Sequence, residues 1–174
     1  MSEFQWPWEY NFPPFFTIQL HGKTKVQQIA TWKSLVLNYQ KSQNQSILNI
    51  NEETPLFYNE KLNRKLSLEG RTLILEELSK TGNSCAIDKQ RKQQWEIYWH
   101  TLDEWSTIIY NWAQASGMTN TVCTLFELTS GDNTVGEEFY GLEQNILLKV
   151  LKILESKGKC ELIVFDDNEG VKFF

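Results

Sequence analysis

The chain contains no uncharged apolar run near the roughly 18 residues that a bilayer-spanning helix needs. Its first ten residues carry no Lys, no Arg and no sustained apolar stretch, so no signal peptide is expected, and Ser2 in place of glycine excludes myristoylation. Cysteine is scarce. Cys85, Cys123 and Cys160 are odd in number and widely separated, which argues against a disulfide framework or a paired-cysteine zinc knuckle and fits a reducing compartment. Histidine is scarcer still, with only His21, in a linker-like stretch, and His100, at an expected domain junction. Nucleophilic catalysis needs a Ser or Cys beside a base, and neither His lies in a recognisable motif. The sequence also lacks a phosphate-cradling glycine loop, a His-Glu-x-x-His and a Gly-x-Ser-x-Gly. No enzyme, cofactor or metal is therefore expected. Gly131-Asp132-Asn133 reads as a turn, and Asp132, Glu137 and Glu138 lack the alternation of a calcium loop and read as a solvated face.

Positive charge is in short supply too. Seventeen Lys and Arg stand against 22 Asp and Glu, a net charge of −5. Residues 1–100 hold 12 basic and 10 acidic groups while 101–174 hold 5 and 12, so the C-terminal part repels phosphate. With 41% hydrophobic and 22% charged residues, nine Gly and four Pro, the 174 residues suit an ordered chain of one average domain or two small ones. A cytoplasmic protein that meets a membrane only through a partner is the expectation.

Aromatic residues, by contrast, crowd the start. Phe4, Trp6, Trp8, Tyr10, Phe12, Phe15 and Phe16 fall among Pro7, Pro13 and Pro14 before the first basic residue, Lys23. Proline lacks an amide donor and restricts the residue before it, so 1–22 is expected to be an extended arm running along a surface. Rings this dense are costly in water, and Trp and Tyr are common interface anchors. Either the arm folds back on its own domain or another chain covers it; the docking reading is adopted. Pro13-Pro14-Phe15-Phe16 also resembles a WW-domain ligand, but Phe16 stands where such ligands need Tyr.

Beyond the arm, Ile29, Trp32, Val36 and Tyr39 predict a helix over 23–43, Ile47, Leu48 and Ile50 a short strand, and 59–66 a short helix after Thr54-Pro55. Ser67 as N-cap and Gly82 as C-cap bracket a further helix. Cys85–Ile87 and the alternation of Trp95, Ile97 and Trp99 with Glu96 and Tyr98 predict a hairpin. Adding 76 to the numbering reproduces this layout: Ile29, Trp32 and Val36 map onto Trp105, Ile108 and Trp112, Ile47 and Ile50 onto Cys123 and Phe126, Leu75, Leu78 and Gly82 onto Leu151, Leu154 and Gly158, and Trp95 and Ile97 onto Val171 and Phe173. The α+β order of helix, strand, two helices and hairpin is that of a winged helix. The expected organisation is an arm over 1–22 and two tandem winged-helix domains over 23–100 and 101–174.

Winged helices often bind DNA, which makes a nucleic-acid-binding or transcription-related protein the alternative function. The candidate reading helices carry net charges of only −1 (Glu69, Glu76 and Glu77 against Arg71 and Lys80) and +1 (Glu143 and Glu155 against Lys149, Lys152 and Lys157). The first wing is basic through Lys89, Arg91 and Lys92, but the second holds Asp166, Asp167 and Glu169 where phosphate must approach. Nucleic acid is not the expected partner. Ile146, Leu148 and Ile153 beside Leu147, Val150, Leu151 and Leu154 broaden the apolar surface of the last helix, which reads either as burial on two sides or as a face for a partner helix.

Phe4-Gln5-Trp6-Pro7-Trp8, Tyr10, Phe12-Pro13-Pro14-Phe15-Phe16-Thr17, Pro55-Leu56-Phe57 and the ending Gly170-Val171-Lys172-Phe173-Phe174 give the whole chain a specific likeness. It resembles the vacuolar protein sorting-associated protein 25 family, the small subunit of the ESCRT-II endosomal sorting complex. That resemblance implies tandem winged-helix domains and two copies of the subunit forming arms of a Y-shaped complex with two larger subunits. It implies docking of the arm and first domain onto those subunits, and binding of an ESCRT-III subunit helix by the second domain, which starts ESCRT-III assembly on endosomes during multivesicular body sorting of ubiquitinated membrane proteins. The arm residues assigned to partner binding are Trp6, Pro7, Trp8, Tyr10, Phe12, Pro13, Pro14, Phe15 and Phe16.

Overall fold

The computed structural model describes residues 3–19, 21–165 and 167–174; Ser2 and the wing residue Asp166 lie outside them. The chain divides into two units, Met1–Trp99 and His100–Phe174.

In the first unit, helix α1 (Gly22–Gln43) buries Trp32, Leu35 and Val36 and half-buries Ile29 and Tyr39, the stripe expected from the spacing. It stops at Asn44, whose left-handed φ of 49° turns its amide back to Gln40 and Lys41. Strand β1 (Ile47–Asn49) follows. The helix expected at 59–66 is instead a two-stranded hairpin, β2 (Tyr58–Asn59) with β3 (Arg64–Lys65). Turn chemistry overrides the helical spacing there: Asn59 Oδ1 accepts from Leu62 N at 3.2 Å, and Asn63 adopts φ 50°. Helix α2 (Leu68–Lys80) starts as expected, with Ser67 Oγ accepting from Gly70 N at 3.1 Å, and ends in a turn where Gly82 has φ 77° and Asn83 N reaches Leu78 O at 2.9 Å. Strands β4 (Ser84–Ala86) and β5 (Gln94–Ile97) close a sheet ordered β1-β5-β4. The expected inside–outside alternation does not hold on β5, because Trp95, Glu96, Ile97 and Tyr98 are all buried and the Tyr98 hydroxyl donates to Glu96 at 2.6 Å.

The second unit runs α3 (Leu102–Ala115), β6 (Val122–Thr124), α4 (Leu125–Ser130), α5 (Gln144–Ser156), β7 (Cys160–Phe165) and β8 (Asn168–Phe173), with sheet order β6-β8-β7. Both sheets are antiparallel with the same strand placement, so each unit has the winged-helix architecture; only the first replaces the middle helix with the β2–β3 hairpin. The broad apolar surface of α5 is resolved mainly by burial: Ile146, Leu147, Val150, Leu151 and Leu154 are buried, and Leu148 and Ile153 half-buried.

The repeat is real in topology but not free of slips. From α2 onward the offset of 76 is kept: Gly158 and the Lys159 N to Leu154 O bond at 2.9 Å repeat Gly82 and Asn83, and Cys160 Sγ donates to Leu151 O where Ser84 Oγ donates to Leu75 O. Before α2 the register differs. Leu48 faces Trp95 while Cys123 faces Val171, an offset of 75 in the first strand. On α3 the buried positions are Trp105, Ser106, Ile109 and Ala113; Trp105 holds its expected place, while Ile109 and Ala113 are buried one residue on from the expected Ile108 and Trp112, which are half-buried. Strand side chains alternate faces, so a one-residue slip there exchanges inward and outward positions.

Candidate functional site

The arm is not extended. Two 3-10 turns, Trp8–Asn11 and Pro13–Phe16, are closed by Tyr10 N to Pro7 O (3.1 Å), Phe12 N to Glu9 O (2.9 Å), Phe15 N to Phe12 O (2.9 Å) and Thr17 N to Pro14 O (3.1 Å). Proline's fixed φ suits the start of a helical turn, where its missing N–H costs nothing, so Pro7 and Pro13 initiate turns and do not stretch the chain.

Folding the arm sorts its nine named residues. Tyr10, Phe15 and Phe16 turn inward and join the first unit's core. Phe15 stacks on Trp32 with centroids 4.2 Å apart, Phe16 meets Trp32 edge-on at 5.6 Å, and Trp32 Nε1 donates to Phe15 O at 2.9 Å. Trp6 stacks on Tyr10 at 3.9 Å and, with Pro7, is half-buried. Trp8, Phe12, Pro13 and Pro14 stay exposed, Trp8 at 70% and Phe12 at 49%. These exposed rings border a cleft of about 410 Å³ between arm and α1, whose α1 side is made by Lys23, Thr24, Gln27, Gln28 and Thr31.

Three residues that periodicity does not single out hold the arm. Buried Asn59 donates to Tyr10 O at 2.8 Å, the Tyr10 hydroxyl donates to Pro55 O, and buried Gln28 bonds the backbone from Pro14 to Gln19. The polar character of Asn59 and Gln28 beside apolar stretches is the only signal of this in the sequence, and it does not name the partner atoms.

Burial, with a smaller contribution from Tyr39, pushes the Tyr10 hydroxyl up from 10.0 to about 12. The neutral phenol is thus favoured by folding, so its stabilisation is complete below pH 10 and is lost as pH rises from 10 toward 12. Tyr10→Phe is expected to cost about 1 kcal/mol at neutral pH through the lost hydrogen bond. It should also flatten the alkaline fall in stability; denaturant titrations across that pH range compare the slopes, and an unchanged slope refutes the assignment to Tyr10.

Elsewhere the chemistry is quiet. Burial first, and then Glu127 or Glu155, raises Cys123 to about 11 and Cys160 to about 12, so neither offers a thiolate near neutrality. His100 Nε2 lies 2.8 Å from Glu138 and its ring meets Trp105 edge-on at 4.8 Å, while His21 is exposed ahead of α1. Hydrogen bonds from Thr101, its backbone amide foremost, lower the Glu104 carboxyl and belong to the capping box of α3. Among the described residues, no three His, Cys, Asp or Glu converge on a metal-sized site.

The nucleic-acid alternative loses two of its cations. Arg71 is 1% exposed and bonds Leu66 O, Ile50 O and Glu53, and Lys92 of the first wing is paired with Glu76 at 2.7 Å. The second unit carries a groove of about 580 Å³ between Leu125, Phe126, Gln144, Leu148, Asp167 and Glu169, with Phe126 69% exposed.

Comparison with known proteins places these features in context. The model of the ESCRT-II complex subunit family matches residues 9–143. The chain is 50% identical to vacuolar protein-sorting-associated protein 25 of Drosophila melanogaster over 175 residues, covering all of both chains, and 46% identical to its Homo sapiens counterpart, covering 98% of each. Among solved structures it is similar to the crystal structure of subunit VPS25 of the endosomal trafficking complex ESCRT-II, with a TM-score of 0.87 and 28% identity over 97% of this chain and 98% of that one. It is also similar to a chain of the crystal structure of endosomal complex ESCRT-II (VPS22/VPS25/VPS36), with a TM-score of 0.84 and 29% identity over 96% of this chain and 98% of that one.

Proposed function

The chain belongs to the ESCRT-II complex subunit family, and from that premise we propose that it is a non-catalytic assembly subunit in multivesicular body sorting of ubiquitinated membrane proteins. Its arm and first unit dock onto the two larger subunits of the complex, two copies of this chain per assembly. The composition of the solved complex, which holds VPS22 and VPS36 beside VPS25, supports that choice of partner. The observation that carries the docking surface is the solvent exposure of Trp8 and Phe12 beside a cleft, on an arm whose other rings are buried or half-buried.

The second unit takes an ESCRT-III subunit helix. The Phe126–Leu148 groove, rimmed by Asp167 and Glu169, supports an amphipathic helix with basic flanks and nucleation of that subunit's assembly. Among the described residues no helix is long and apolar enough to cross a membrane, and endosomes are reached through the complex.

Deleting residues 1–16 is a poor test, because it strips Tyr10, Phe15 and Phe16 from the core. The double variant Trp8→Ala, Phe12→Ala touches exposed rings only. It is expected to keep its circular dichroism spectrum and weaken capture of the larger subunits by about tenfold or more, as loss of interface anchors does. Capture at the wild-type level by the folded variant refutes arm docking.

A further inference from the structure

Gln28 sits on the inward face of α1, 8% exposed, where the helical spacing would be served by an aliphatic residue. Burying an amide there costs free energy unless its donors and acceptor are all used. All are used, and all on one segment. Nε2 lies 2.8 Å from Thr17 O, 3.0 Å from Phe15 O and 3.3 Å from Pro14 O, and Oε1 accepts from Gln19 N at 2.9 Å. The same segment turns Pro13 and Pro14 outward beside exposed Phe12, bordering the cleft with α1.

We propose that Gln28 is a positioning residue, which holds the Phe12–Thr17 turn in its docking shape before a partner arrives. This rests on the reading of the arm as the element that meets the larger subunits. An arm without that clamp samples many shapes, and when only a fraction of molecules is competent the apparent affinity falls by that fraction. Gln28 lies at the floor of the cleft with its amide turned to the arm backbone, and through those bonds it sets how many molecules are ready to bind.

The distinguishing readout is kinetic, using the full chain and the purified pair of larger subunits. Gln28→Met keeps the volume but loses the bonds, and Gln28→Glu keeps the acceptor for Gln19 N but loses both amide donors. Each is expected to slow association about tenfold, the effect of a competent fraction near one tenth, and to leave dissociation within about twofold. Trp8→Ala, Phe12→Ala acts on the contact instead and speeds dissociation. Normal association of a folded Gln28 variant, together with fast dissociation of the Trp8/Phe12 variant, overturns the proposal and leaves docking standing. Wild-type kinetics in the Trp8/Phe12 variant overturns the docking reading itself, and the proposal with it. Should both Gln28 variants unfold, hydrogen exchange in the wild-type chain decides. The Phe15, Thr17 and Gln19 amides are expected to be protected before any partner is added, and protection appearing only in the complex overturns the proposal.

Discussion

Trp32→Ala is expected to remove about 3–5 kcal/mol of stability, the range for truncating a large buried aromatic. Trp32 is fully buried at the centre of α1, with Phe15 stacked on one face, Phe16 at its edge and Phe57 5.9 Å away. Its indole N–H also holds Phe15 O, so the truncation opens a cavity and releases the arm together. Against a total of roughly 5–15 kcal/mol for a domain, that leaves the first unit marginal. Hydrogen exchange resolved by unit is the suitable measurement, with faster exchange expected through Met1–Trp99 and no change in His100–Phe174. Unaltered exchange of the arm amides shows that the Trp32 contacts do not hold it.

Arg71→Ala is expected to cost a similar amount, about 3–5 kcal/mol, from two buried carbonyls losing their donor at roughly 1–3 kcal/mol each and from the cavity left behind. Its guanidinium donates through Nε to Leu66 O at 2.8 Å, through Nη1 to Ile50 O at 2.7 Å and through Nη2 to Glu53 at 3.2 Å, over the Phe57 ring at 5.1 Å. Glu53 is 47% exposed at its side chain and returns to water when Arg71 is lost, so the cost falls on the two stranded carbonyls and the cavity. Arg71→Lys should recover less than half, since one ammonium cannot span three acceptors in a fork. Denaturant unfolding of both variants measures this, and a lysine variant as stable as wild type refutes the fork geometry as the source.

These two residues mark the boundary between what is readable along the chain and what is not. The α1 stripe, the Ser67 and Gly82 caps and the β4–β5 hairpin follow from local chemistry, since spacing, an N-terminal hydroxyl and a glycine at φ 77° act within a few residues of themselves. The repeat is visible for the same reason, but the offset of 76 holds only from the second long helix of each unit onward, and the first helix and strand each slip by one residue. Along the sequence Arg71 counts only as one of the cations of a candidate reading helix; the carbonyls of Leu66 and Ile50, brought together by folding, make it a core residue.

The arm shows the same division most clearly. Seven aromatics before Lys23 determine by composition that most of their surface must be removed from water, but the prolines, read along the chain as extending the arm, instead begin its turns at Pro7 and Pro13, because only the folded backbone closes the bonds that make them turns. Which rings go inward was settled only in three dimensions. Phe15 and Phe16 have Trp32 to pack on and Tyr10 has Pro55 and Asn59 to bond, while Trp8 and Phe12 meet no such surface and stay out. Hydrophobicity is a property of a residue and can be counted along a chain; burial depends on partners distant in sequence, and only the folded backbone supplies them.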